Sequence, residues 1–296
     1  MDAPDPLRGG SLGVWSFTDH LPAAEARAYA RGVEELGYTA LWVPETTGRD
    51  PFTHLADLAA VTSTLTLATG IANIFLRHPG AMKQAALALT EQAEGRFVLG
   101  LGVSHAPVVE GLRELDHSRP LQQMVRYLDA YDASPYAGPA PVDPPRRLLA
   151  ALGPRMLELA ADRADGAHPY WTTPEHTEQA RAVLGDAKLL CVEQKVVLTS
   201  DRQVAHAAAD RELERYARLP NYRRSWHRLG FDDDAIDGRD PALIDALVAW
   251  GDADAIRTRI EEHRTAGADH VCLQPIGARD GAPDALTTLR QLAPTT

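Results

Sequence analysis

Ala40-Leu41-Trp42-Val43-Pro44-Glu45 is the stretch on which the reading of the fold turns. Four apolar residues of strand length end abruptly in a proline and a carboxylate. They stand between two helical patterns, residues 23–36, closed by Gly37, and residues 53–62. A strand flanked in this way is a βα unit, and continuous rather than alternating hydrophobicity marks a strand covered on both faces, as in a parallel sheet. Working outward, the same unit recurs. Strand-like runs fall at 12–17, 65–74, 97–103, 147–152, 166–171, 190–198 and 270–276, and further helical patterns at 79–92, 121–130, 154–163 and 174–184.

Eight such runs in 296 residues predict an α/β fold of the (β/α)8, or TIM-barrel, class. After the seventh run come a helical segment at 201–218, the turn Leu219-Pro220-Asn221-Tyr222, short helices, and a helix at 252–266. This is a helical insertion between strands seven and eight, not a second domain. The whole of 1–296 is therefore read as one domain, with 1–10 expected to be flexible. Five prolines within 134–145 make that stretch an ordered connector, too poor in N–H donors for a helix or a central strand.

The formal charge of −11 and the lack of any basic run argue against nucleic acid as a partner. No apolar leader or membrane-length run is present. Cys191 and Cys272 both sit in apolar runs, which suits two reduced core thiols and a cytoplasmic location. Arginine outnumbers lysine 27 to 3. This is read as genomic composition, with anion binding as the alternative. There is no metal-ligand spacing, no phosphate loop and no serine-hydrolase elbow, and Gly100-Leu101-Gly102 lacks the third glycine of a dinucleotide fingerprint.

In a parallel barrel the C-terminal strand ends face the active site, so their polar and aromatic residues are the candidates: Trp15, Glu45-Thr46, Gly70 to Asn73, His105, and His168-Pro169-Tyr170-Trp171. Asn73 either contacts a ligand or caps its own turn. His105 can hold or release a proton at neutral pH, or serve only as a wall. Asn221 and Tyr222 belong to the insertion that roofs the pocket. Glu193 and Gln194 are polar within an apolar strand, hence barrel-interior candidates or members of an internal hydrogen-bond network. Leu152-Gly153-Pro154-Arg155-Met156 leads from a strand into a helix, where free N–H groups and the Arg155 charge could hold an anion, or form a plain turn.

The segments ALWVPE (40–45), LTLATGIANIF (65–75), RFVLGLGVSH (96–105), AALGPRMLELAADRADGAHPY (150–170) and GADHVCLQPI (267–276) together resemble the luciferase-like, F420-dependent oxidoreductases, and the resemblance spans nearly the whole chain. It implies a bound deazaflavin and hydride transfer at its C5 position to or from a small organic substrate. A cis Gly70-Ile71 bond would lie behind the cofactor ring. Glu45, Asn73, His105 and the 152–156 turn would contact the cofactor, with Trp15, Thr46, His168, Tyr170, Trp171, Asn221 and Tyr222 around the substrate. His105 and Glu45 are the catalytic candidates. Thr46 stands where sugar-phosphate-oxidising relatives place a histidine base, so their reaction is disfavoured. The resemblance also implies a homodimer and a partner enzyme that reduces the cofactor. Two alternatives remain: an FMN-dependent monooxygenase on the same fold, and a non-catalytic barrel that carries flavin or deazaflavin. No metal is expected.

Overall fold

The structure is a computed structural model that describes residues 5–294. Ten strands, all parallel, are present: β1 (Ser11–Trp15), β2 (Ala40–Val43), β3 (Thr66–Thr69), β4 (Ala72–Asn73), β5 (Phe97–Gly102), β6 (Arg146–Leu149), β7 (Gly166–Ala167), β8 (Leu189–Leu198), β9 (Val248–Gly251) and β10 (His270–Pro275). The chain of pairings runs from β1 through β8. β10 then pairs with both β8 and β1, with His270 opposite Cys191 on one side and Ser11 on the other, and so closes the barrel. β3 and β4 are two halves of one barrel position, both paired to β5. The expected eight-strand barrel is therefore present.

Prolines and capping side chains start the surrounding helices. Asp50 accepts from Thr53 N before Pro51, and Thr173 accepts from His176 N before Pro174. The expected helices at 79–92, 154–163 and 174–184 begin and end at those residues. Two strands are shorter than expected. The run at 65–74 is interrupted at the Gly70–Ile71 bond, which is cis, and β7 stops at Ala167, although His168 N still reaches Leu149 O (2.9 Å) and Pro169 O still accepts from Glu193 N (3.1 Å). Beyond Ala167 the flank of β8 is free for β9, an element the helical reading of the insertion did not anticipate; Val248 pairs with Lys195 there.

Three buried clusters result. One lies between barrel and helices, and a second inside the barrel, with Trp15, Trp42, Cys191, Cys272 and a plug at Leu7. The third lies beneath the insertion helices Arg202–Tyr216 and Pro220–Arg228. Both cysteines are free and buried, and burial pushes each thiol up. Residues 5–10, expected to be flexible, are packed: Leu7 is fully buried, and Asp5 meets Arg146 at 2.7 Å. Residues 1–4 lie outside the described residues. Among the described residues no helix is long and apolar enough to cross a membrane.

The glycines of Gly100-Leu101-Gly102 have a packing cause. A Cβ at Gly100 would overlap the Thr69 carbonyl, and one at Gly102 would overlap the Ile71 side chain. Gly102→Ala should therefore cost about 1–3 kcal/mol through overpacking, because Ile71 can shift. Gly100→Ala should cost more, because the obstacle is backbone. Urea denaturation midpoints check the order; equal midpoints for both variants and the parent would refute it.

Candidate functional site

The C-terminal strand ends and the insertion enclose one cavity of about 940 Å³, within the range of small-molecule sites. Trp15, Glu45, Thr46, Gly70, Ile71, Asn73, His105, Leu152 to Met156, His168, Tyr170, Asn221 and Tyr222 all line it. Trp171 does not. It adopts a positive φ of 57°, which turns its indole away into the cluster beneath the insertion, against Tyr216 and Trp226. The assignment of Trp171 to the substrate is thereby corrected.

The Gly70–Ile71 bulge is held from three sides. Trp15 Nε1 donates to Gly70 O (3.1 Å), Gly70 N donates to Val43 O (2.8 Å), and Glu45 N donates to Ile71 O (3.3 Å). Glu45 then fastens the next turn. Its Oε2 accepts from Asn73 N (2.7 Å), while Oε1 stands 2.6 Å from Arg77 Nη1, an ion pair without hydrogen-bond alignment. Arg77 also pairs with Asp50 and lies 5.0 Å from the centre of the Phe52 ring. Both carboxylate oxygens are thus committed to protein cations and donors, so Glu45 is a positioning residue here rather than an acid or base. Asn73 does cap its turn, accepting from Phe75 N at 3.0 Å, and it also contributes to the cavity wall. The Thr46 hydroxyl donates to Asp19 and accepts from Gly48 N (3.1 Å), which leaves its proton unavailable to a ligand.

His105 lies among Tyr216 and Tyr222, with ring centroids 6.5 and 5.5 Å away. Its Nδ1 is buried without a protein partner. Burial, then the nearby Arg215 charge, holds its pKa down at about 4, against the partial opposition of Asn221. His168 is also fully buried and lowered to about 4 by burial. It stacks on Trp42 at 4.3 Å, and its Nδ1 lies 2.8 Å from Cys191 O, which can only accept; Nδ1 therefore carries the proton and Nε2, which has no partner, is a lone pair. Tyr170 donates to Gln274 Oε1 at 3.0 Å.

Beneath the floor, Lys195 Nζ meets Glu193 Oε1 at 3.1 Å and sits 3.7 and 3.8 Å from the Tyr170 and Trp171 ring centres, with Glu193 Oε2 accepting from Trp171 N. Burial drives the ammonium down and the carboxyl up, and their contact opposes both. Gln194 points the other way, to Leu247 O and His263, because successive strand residues alternate faces. Glu193 is thus interior, as expected, and Gln194 is not.

Five arginines not singled out from the sequence, apart from Arg155, line the cavity: Arg113, Arg155, Arg215, Arg224 and Arg228. The local sequence around the others carries no signal beyond general arginine richness. Position in the insertion brings in Arg215, Arg224 and Arg228, and Arg113 comes from the connection between β5 and β6.

The family model described as luciferase-like monooxygenase matches residues 10–270. A Mycobacterium tuberculosis protein whose name assigns it to the coenzyme F420-dependent oxidoreductases is 29% identical, with 88% of this chain and 92% of that protein aligned. A 5,10-methylenetetrahydromethanopterin reductase from Archaeoglobus fulgidus is 25% identical over 79% of each chain. Among solved structures, an F420-dependent secondary alcohol dehydrogenase in complex with an F420-acetone adduct superposes with a TM-score of 0.75 at 16% identity, covering 96% of this chain and 97% of that one. The FMN complex of the oxygenating constituent of 3,6-diketocamphane monooxygenase from Pseudomonas putida superposes at 0.64 and 14% identity, with the same coverage. These two likenesses bear on the fold.

Burial holds His105 and His168 down at about 4, and His263 and His270 at about 3, against 6.5 for an ordinary histidine. Below pH 6.5 the unfolded chain takes up protons that the folded one refuses. Stability present above that value should therefore fall as the pH drops from 6.5 towards 4, by up to about 1.4 kcal/mol per pH unit for each histidine. Urea unfolding across that window tests this, and His168→Gln should lower the slope by about one proton's worth.

Proposed function

Since the chain belongs to the luciferase-like monooxygenase family, we propose that it is a coenzyme F420-dependent oxidoreductase acting on a small organic substrate that carries an O–H or N–H group. The observation that carries this reading is the meeting, in one cavity, of the bulge at Gly70–Ile71 with the His105 and Tyr170 side chains and the 152–156 turn. The names of the curated relatives support the choice of deazaflavin.

The residues present fit such a cofactor. Ile71 gives an apolar wall, and Gly153 leaves open space where a Cβ would meet only Arg228, at 3.9 Å. The 152–156 turn offers the free N–H groups at the start of the helix Pro154–Arg163 to a phosphate. When bound, the deazaflavin supplies the two-electron hydride chemistry at C5. The protein supplies placement, exclusion of water and a proton acceptor. With its pKa held at about 4, His105 is neutral at pH 7. It is therefore in the form that can accept a proton from the substrate as hydride leaves a carbon bearing the donor group, although the burial that keeps it neutral also weakens it as a base.

We extend the proposal to a one-domain cytoplasmic enzyme that works as a homodimer, as the family resemblance implies. An FMN-dependent monooxygenase is the second reading, favoured by the description of the family itself. Fluorescence titration separates the two: F420 should bind at least tenfold tighter than FMN, a difference of about 1.4 kcal/mol. The reverse ranking would overturn the cofactor assignment. With a substrate in hand, His105→Ala should lower kcat by about 10²–10⁴-fold. Unchanged turnover would remove His105 from the proton transfer.

A further inference from the structure

Lys195 and Glu193 stand two residues apart on β8, each with no more than 1% of its surface exposed, and neither lines the cavity. Lys195 Nζ has one hydrogen-bond acceptor, Glu193 Oε1 at 3.1 Å. Its other protons face aromatic rings: the ring centres of Tyr170 and Trp171 are 3.7 and 3.8 Å away, and that of Tyr216 is 5.7 Å away. In such a pair desolvation offsets most of the attraction, and apolar side chains of similar volume usually serve stability as well or better. Stability therefore gives no reason for a lysine at this place.

What a cation does that an apolar group cannot is draw aromatic faces onto itself from fixed directions. Tyr170 and Trp171 are consecutive residues, yet their rings stand at 89° to one another, and Lys195 Nζ lies over both. This corner depends on a left-handed backbone at Trp171, φ 57°, which few residues other than glycine adopt. Glu193 Oε2 holds that backbone by accepting from Trp171 N (3.2 Å), and Trp226 Nε1 holds it by donating to Trp171 O (3.2 Å). Tyr170 carries the effect into the cavity. Its ring centre is 4.9 Å from that of Trp15, and Trp15 Nε1 donates to Gly70 O at the bulge. An unbroken line of contacts thus leads from the buried pair to the bulge, through two side chains that line the cavity.

We propose that Glu193 and Lys195 are positioning residues: from beneath the cavity floor they fix the Tyr170–Trp171 corner and, through Tyr170 and Trp15, the bulge beside which a bound deazaflavin or flavin ring lies. The proposal rests on the reading that this cavity binds such a ring. Glu193 sets the backbone turn, Lys195 sets the two ring planes, and neither touches a ligand. The pair also ties this wall to the insertion, because Trp171 and Tyr216 pack beneath the insertion helices.

The test compares the whole parent protein with E193Q/K195M, because removing one charge alone would strand the other in the interior. Glutamine keeps an acceptor for Trp171 N and methionine fills the space, so the two charges are what is lost. F420 and FMN are titrated against both proteins by fluorescence, the anisotropy of the bound ring is read at saturation, and urea midpoints are measured beside them. The probe that the parent binds more tightly should bind the double variant at least tenfold more weakly. Its ring should also be less immobilised, with a lower anisotropy, while the urea midpoint equals or exceeds the parent's. Unchanged affinity and anisotropy, or a loss of affinity that comes only with a lowered midpoint, overturn the positioning role and leave the cofactor reading intact. A parent that binds neither probe overturns both.

Discussion

Trp15 Nε1–H to Gly70 O, 3.1 Å inside the top of the barrel, is the contact on which the site depends. It joins β1 to the bulge between β3 and β4, and the neighbouring sequence follows from it. Residue 70 must be glycine, because a Cβ there would stand 2.6 Å from the donating nitrogen. With the bulge so placed, Ile71 is driven towards β5, where residue 102 must lack a side chain to receive it and residue 100 must lack one to clear the Thr69 carbonyl. The carboxylate at 45 is then required to satisfy Asn73 N just beyond the bulge, and Arg77 to neutralise that carboxylate. A motif that looks like half of a nucleotide fingerprint is, in this chain, the imprint of a bulge on its neighbouring strand.

Below the bulge the barrel interior is an aromatic and imidazole stack whose protons are all assigned by their partners. Trp42 Nε1–H donates to His270 Nε2 at 3.2 Å, so the other His270 nitrogen carries the proton and meets Ser11 Oγ at 2.7 Å. His168 stacks on Trp42 with ring centroids 4.3 Å apart, and Cys191 O fixes its tautomer. Charging either ring would place a cation in the dry interior, which is why both resist protonation. The tautomer of His168 is therefore set by packing beneath the cavity.

Much of the fold is legible because each strand and helix announces itself locally, through apolar runs with Pro and Gly at their junctions. The bulge could be located too, through Gly70. What could not be read has a common physical cause: it depends on which way a side chain turns and on what meets it from elsewhere in the chain. Trp171 looks like a strand-end aromatic until its positive φ swings it under the insertion. Glu45 and Thr46 look available until Arg77, Asp19 and Gly48 claim them. β9 exists only because β7 ends early and leaves a flank of β8 unpaired. The cavity arginines were invisible within a general arginine richness, since only their missing carboxylate partners set them apart.

The consequence for chemistry is a cavity with two unlike ends. At the inner end both partnerless histidine nitrogens belong to neutral rings, the Tyr170 proton is given to Gln274, and the Thr46 proton to Asp19. The charged donors at that end are Arg215, beside His105, and Arg113, at Thr46 O. At the outer edge Arg155, Arg224 and Arg228 are donors only, and they suit a ligand face that brings lone pairs and negative charge. A ligand's reacting face therefore meets the His105 ring rather than the carboxylate of Glu45, whose oxygens are already taken.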